Sequence, residues 1–189
     1  MEQIVIVDEN DNSLGEEEKG KCHDGSGILH RAFLAMVFNR SGELLLTRRS
    51  DKKRLWPGFW DGTVASHVLK GEDYEQASRR RLMQEIGLTT DTIKYLFKFH
   101  YKAEYYDIGT EHEICAVTVV NNADFDRILS DSNEISEVKS ASMRALIDDI
   151  EVHGDQYTPW FILALAHMNG LQGGSIKDRT IPSCFERNP

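Results

Sequence analysis

Cysteine is scarce. The chain has Cys22, Cys115 and Cys184 and no others. Three thiols with no tight spacing read as free cysteines of a reducing compartment, so the chain is expected in the cytoplasm. No apolar run approaches the roughly 18 residues of a membrane span, which excludes a transmembrane helix. The opening Met1-Glu2-Gln3-Ile4 has no basic region followed by a long apolar stretch, so no secretory signal is expected. Positive charge is in deficit: 22 Lys and Arg against 31 Asp and Glu leave a net charge of −9. That balance argues against a non-specific nucleic-acid binder, although clustered Lys and Arg can still build a phosphate site. There is no internal repeat, no low-complexity run and no Pro/Ser-rich linker. What remains is a chain of 189 residues, 40% hydrophobic and 28% charged, which suffices for a real core. The expected layout is one domain over residues 1–170 and a polar, glycine-bearing tail over 171–189.

Residues 4–7 read as a strand, and Asp8-Glu9-Asn10-Asp11-Asn12 as a turn. The polar, glycine-dotted stretch 13–29 is expected to be a surface loop. Residues 32–38 form an apolar strand, 39–42 a hairpin turn and 43–47 the returning strand. A charged loop covers 51–54, and 59–67 suits an irregular strand. Residues 73–86 contain no Gly or Pro and are rich in helix formers, with acids at the start and Gly87 as the stop. Strands follow over 93–106 and 111–121, then helices over 142–150 and 159–168, the last opening on Pro159 where a missing N–H costs little. Strands, one helix, more strands and terminal helices predict an α+β or αβα sandwich.

Chemistry first shows in residues 66–88. Glu72, Arg80, Leu82, Glu85, Gly87 and Leu88 fall in the register of the Nudix box, which this loop and helix resemble. Three positions depart from it. Ser66 stands where the box opens on Gly, Arg81 where a Glu follows the Arg, and Gln84 where the first Glu of a pair belongs. In Nudix hydrolases such carboxylates hold divalent metals that bridge a diphosphate and activate water. Arg81 cannot ligate Mg²⁺ or act as a base, but it can bind a diphosphate oxygen through a charge-assisted hydrogen bond. The helix therefore looks retuned from hydrolysis toward diphosphate binding. A charged, solvated helix face is the plainer alternative.

Histidines and glutamates give a second set. His23 and His30 lie in or beside the N-terminal loop, and His67 just before the helix. Glu111 and Glu113 are two apart on a strand, so they share a face, while His112 between them faces away. Three imidazoles and two carboxylates suit Zn²⁺ or Mn²⁺.

Together these features resemble the type I isopentenyl diphosphate isomerases, a branch of the Nudix superfamily, over about residues 4–168. The carrying motifs are Lys19 ahead of His23, His30 before a strand, Thr47-Arg48-Arg49, Lys52-Lys53, Trp56-Pro57-Gly58-x-Trp60, Ser66-His67, Gly71-Glu72, Arg80-Arg81, Glu111-x-Glu113-x-Cys115 and Thr158-Pro159-Trp160. The resemblance implies a Nudix-type αβα sandwich with a mixed sheet. It implies a five-ligand site for Mn²⁺ or Zn²⁺ at His23, His30, His67, Glu111 and Glu113, and a Mg²⁺ held on the substrate diphosphate by Glu85. It implies diphosphate contacts from Lys19, Arg49, Lys53 and Arg81. Tyr101 matches an active-site tyrosine, and Trp160 an aromatic whose face shields a carbocation. The implied reaction is the allylic isomerisation of isopentenyl to dimethylallyl diphosphate, by a monomer or homodimer that binds a small molecule and no membrane or nucleic acid.

One group is missing. The family sets a glutamate, here Glu113, against a cysteine on the other side of the substrate, and this chain has Ala65 at the cysteine's position. Alanine transfers no protons, and one general acid or base is worth about two to four decades of rate. Ser66 and Cys22 are the nearby candidates to replace it. Three readings follow: a weakened isomerase, a pyrophosphohydrolase acting on a nucleotide or other diphosphate, and a non-catalytic diphosphate-binding module.

Overall fold

The computed structural model of the protein describes residues 2–170. The expected tail over 171–189, with Cys184, lies outside the described residues. The strands are β1 (Gln3–Val7), β2 (Ser13–Glu18), β3 (His30–Asn39), β4 (Leu44–Arg49), β5 (Trp60–Asp61), β6 (Val64–His67), β7 (Lys94–Tyr105), β8 (Gly109–Ala123) and β9 (Ile135–Ala141). The helices are α1 (Lys19–Cys22), α2 (Tyr74–Ile86), α3 (Met143–His153) and α4 (Pro159–Gly170). No described helix is long and apolar enough to cross a membrane.

β3 is the spine of the sheet. It runs parallel to β8, with His30 opposite Glu113 and Leu34 opposite Val117. It is antiparallel to β6, with Ala32 opposite His67 and Leu34 opposite Ala65. β7 closes one side against β8, and the β1–β2 ribbon continues from the start of β3. Strand alternation sorts the core into two layers. Phe33, Ala35 and Val37, with Ile114 and Ala116, pack under Ala77, Leu82 and Ile86 of α2. Leu34 and Met36, with Cys115 and Val117, pack under Leu146 of α3 and Trp160, Phe161 and Leu165 of α4. This is the expected α+β, αβα arrangement on a mixed sheet.

The ends of α2 are fixed locally. Asp73 accepts from Gln76 N at 2.8 Å while the Gln76 side chain accepts from Asp73 N, a reciprocal capping box. Gly87 adopts φ +67°, and its N–H and that of Leu88 reach back to the carbonyls of Met83 and Leu82.

Three expectations change. The loop predicted over 13–29 contains β2 and α1, because the backbone of β2 pairs with β1 even though its side chains face solvent. The strand predicted over 59–67 is two short strands, β5 and β6, split at Gly62-Thr63; the Thr63 hydroxyl donates to the Leu45 carbonyl at 2.6 Å and accepts from Val37 N. β4 meets β3 only at Phe38 and Leu44, and its main partner is β9, a strand the sequence reading omitted.

Candidate functional site

One cavity of about 490 Å³ opens beside β3, β6 and β8, a size suited to a small ligand. It is lined by Lys19, His23, Arg49, Lys53, Ala65, Ser66, His67, Tyr101, Glu111, Glu113, Cys115, Glu134 and Trp160 among others.

His23, His30, His67, Glu111 and Glu113 converge there from the C-terminal cap of α1 and from β3, β6 and β8, with one ligand atom of each within 4.8 Å of every other. All five are buried. The Nδ1 atoms of His23 and His30 lie 2.6 and 2.7 Å from the carbonyls of Lys19 and Ile28. A carbonyl only accepts, so each Nδ1 carries a hydrogen, which leaves Nε2 as the atom able to ligate. His30 Nε2 and His67 Nε2 stand 3.3 and 3.4 Å from the same Glu113 oxygen. His30 Nε2 and His67 Nδ1 have no hydrogen-bond partner among the described residues, while Glu111 Oε2 lies 2.8 Å from His23 Nε2. A lost partner at a buried polar atom costs about 1–3 kcal/mol, so two in one cluster fit a divalent cation better than an empty pocket. Burial pushes His30 and His67 toward the neutral form that ligates. Burial also raises Glu113 well above the carboxylate range, and the Glu111 carboxylate beside it adds to that. Glu111 feels the same burial, but His23 outweighs it and holds the group at about 2.

Glu113 has a second partner. The Tyr101 hydroxyl donates to its Oε2 at 2.5 Å, across the pairing of β7 with β8. Trp160 stands 6.2 Å from Tyr101 between ring centroids and packs edge-on against Trp56 at 5.2 Å.

The basic residues form a rim. Arg81 donates to Glu85 at 2.6 Å and to Glu134 at 3.1 Å, and Lys53 pairs with the same Glu134. Lys19 reaches Glu2 at 3.3 Å. Arg49 is tied down more firmly. Its Nε and Nη2 donate to the Trp56 and Leu55 carbonyls, and its guanidinium carbon lies 5.1 Å from the centre of the Trp160 ring. Arg80 grips Glu72 through two bonds and donates to the His67 carbonyl at 3.1 Å, joining α2 to the metal cluster.

Ala65 lies on the cavity wall at β6, with Ser66 beside it. Cys22 is buried in α1 and is not among the lining residues. His112 turns outward as expected and stacks on His100. Sequence reading missed Asp61 and Glu134. An acid inside the apolar Trp60-to-Val64 stretch was the available signal for Asp61, since a buried charge implies a partner.

Residues 28–161 match the family model of the NUDIX domain. The isopentenyl-diphosphate Delta-isomerase of Halobacterium salinarum is 34% identical over 170 residues, 87% of this chain and 78% of that one. Isopentenyl-diphosphate Delta-isomerase 1 of Photorhabdus laumondii is 36% identical over 168 residues, 85% of this chain and 91% of that one. Among solved structures, DR0079 from Deinococcus radiodurans superposes with a TM-score of 0.65 at 22% identity, over 80% of this chain and 90% of that one, a likeness of fold alone. Family model, identity and coverage agree: the chain belongs to the NUDIX domain family, in the branch of its isopentenyl-diphosphate Delta-isomerase relatives.

Proposed function

We propose that the protein isomerises isopentenyl diphosphate to dimethylallyl diphosphate, at a rate limited by the absence of an acid–base group at position 65. The observation that carries this reading is the buried Glu113–Tyr101 pair sharing one cavity with Trp160, Lys19 and Lys53, with Arg81 joined to Lys53 through Glu134. The rim binds the diphosphate, assisted by Arg49, and Glu85 would hold a Mg²⁺ that offsets the diphosphate charge. The hydrocarbon lies toward Trp160 and Tyr101.

A proton adds to the terminal alkene carbon, leaving a tertiary cation, and another leaves the neighbouring methylene. Substrate and product share one formula, so no co-reactant is consumed. Glu113 serves one of the two transfers, with Tyr101 fixing its orientation. Trp160 offers its π face to the cation and excludes water. A Mn²⁺ or Zn²⁺ bound by His23, His30, His67, Glu111 and Glu113 would hold the Glu113 carboxyl in place and set its charge. Nothing with a titratable side chain stands at Ala65, so the transfer on that side is slow.

The test is incubation of isopentenyl diphosphate with the protein, Mg²⁺ and either Mn²⁺ or Zn²⁺, following the isomer by proton NMR and released phosphate in the same tube. Isomer that disappears with chelator or with Glu113→Gln supports the reading. Released phosphate without isomer overturns it in favour of hydrolysis. Diphosphate binding with neither product overturns it in favour of a binding module.

A further inference from the structure

Asp61 sits on β5, 2% exposed, bonded to two residues of the cavity wall, Arg49 and Trp160. Its Oδ1 accepts from Gly62 N at 2.7 Å and from the Thr158 hydroxyl at 3.0 Å. The Trp160 indole N–H lies 3.0 Å from both carboxylate oxygens. Arg49 Nη1 approaches Oδ2 at 3.6 Å. The backbone N–H, the indole and the guanidinium can only donate, so the geometry calls for an ionised carboxylate.

That arrangement bears on the cation step. Arg49 lies 5.1 Å from the centre of the Trp160 ring, and an uncompensated guanidinium there opposes a second positive charge on the same aromatic. Asp61 cancels that charge. It also clamps the indole by its one polar atom, fixing the angle of the face turned to substrate. We propose that Asp61 is a positioning residue for the carbocation: its carboxylate holds the Trp160 face in place and offsets the Arg49 charge, so the cavity favours a positive centre over a neutral one of the same shape. This rests on the isomerase reading and extends it, because neither Asp61 nor its contacts belong to the proton relay.

Two probes share one outline. One is 3-methylbutyl diphosphate; in the other a dimethylammonium nitrogen replaces the branching carbon. The readout is the ratio of their affinities, measured calorimetrically on metal-loaded protein. Asp61→Asn keeps an oxygen for the indole N–H but removes the charge. The ratio is expected to fall at least about tenfold, the scale of one unit charge roughly 12 Å away at an effective dielectric near 20. Binding of the neutral probe is expected to stay within about threefold. Arg49→Met is expected to move the ratio the other way, upward, and it keeps the inference testable if Asp61→Asn does not fold.

Equal loss of both probes in Asp61→Asn marks a merely structural role and overturns the inference. So does an unchanged ratio in either variant. A parent protein that binds pyrophosphate but shows no preference for the ammonium probe overturns the isomerase reading itself. A parent that prefers the ammonium probe, with an Asp61→Asn variant that keeps the preference, overturns the role of Asp61 alone.

Discussion

Ala65→Cys puts a proton-transfer group on the β6 wall of the cavity. The new sulfur points into open space rather than packed core, since Ala65 is only partly buried and lines the cavity. The stability cost should stay below about 1.5 kcal/mol. One general acid or base is worth two to four decades, or about 3–5 kcal/mol of barrier. The surroundings place this thiol at the lower end. Burial pushes Cys115, which lines the same cavity, well above the ordinary thiol value, with Glu113 adding to it. A thiol at position 65 meets similar desolvation, only partly offset by the cations of the rim. We therefore expect about a hundredfold rise in isomer formation. The assay is the NMR conversion of isopentenyl diphosphate with both metals present, beside a thermal melt and a pyrophosphate titration of each protein. Brief iodoacetamide treatment adds a control. Cys22 and Cys115 are buried, so in a Cys184→Ser background alkylation should erase the gain in the variant and leave the parent unchanged. A folded variant that binds pyrophosphate normally yet isomerises within threefold of the parent refutes the reasoning.

Three further perturbations are specific. Glu134 occupies the slot between Lys53 and Arg81, so Glu134→Gln should free Lys53, leave Arg81 paired with Glu85 alone, and tighten pyrophosphate binding about fivefold in magnesium-free buffer; weaker binding by calorimetry would mean that Glu134 helps hold the anion. A Cβ at Gly109 would sit 2.5 Å from the His23 carbonyl oxygen, a backbone atom with little room to move. Gly109→Ala should therefore cost about 2 kcal/mol, seen as a melting temperature lower by about 4–8 °C, together with weaker Zn²⁺ binding in a competition titration. Burial raises the Asp11 carboxyl, but donation from Arg31 and Lys98 outweighs it and holds the group below its ordinary 3.8. Its stabilisation is present above the unfolded value and is lost as pH falls through the lower folded one. Asp11→Asn should cost about 1 kcal/mol at neutral pH, and the urea midpoints of variant and parent should converge on acidification below pH 3.8. A gap that persists in acid would show that the contribution is not ionic.

Much of the fold was legible where local physics decides it. α2 could be placed almost to the residue because Asp73 and Gly87 carry its start and stop signals in their own chemistry. β3 and β8 announce themselves as apolar strands because both of their faces are buried. β2 does not, since Ser13 to Glu18 is polar and mostly exposed and becomes a strand only by pairing with β1. β9 hides for the same reason, held by β4 with Ile135 as its one buried residue. The candidate site divides likewise. The Glu111-x-Glu113 spacing alone puts two carboxylates on one face. The three histidines come from separate segments, so spacing alone groups them only weakly and the family resemblance strengthens the set. Asp61 and Glu134 had neither aid, because what gives them a role is contact with Trp160 and with Arg81 and Lys53, far off in sequence.

The spread of the five ligands also has a bearing on folding fidelity. They come from the C-terminal cap of α1 and from β3, β6 and β8, and β3 and β8 are aligned in parallel with His30 opposite Glu113. A slip of β8 by one residue would turn both glutamates outward and swing His112 toward the cluster. An ion that demands all five groups at once binds only when three strands and a helical turn stand in native alignment. Metal capture at this cluster would thus be a checksum on the chain's own strand register: a mispaired molecule would forfeit the binding energy and remain the less stable species, open to another attempt at folding.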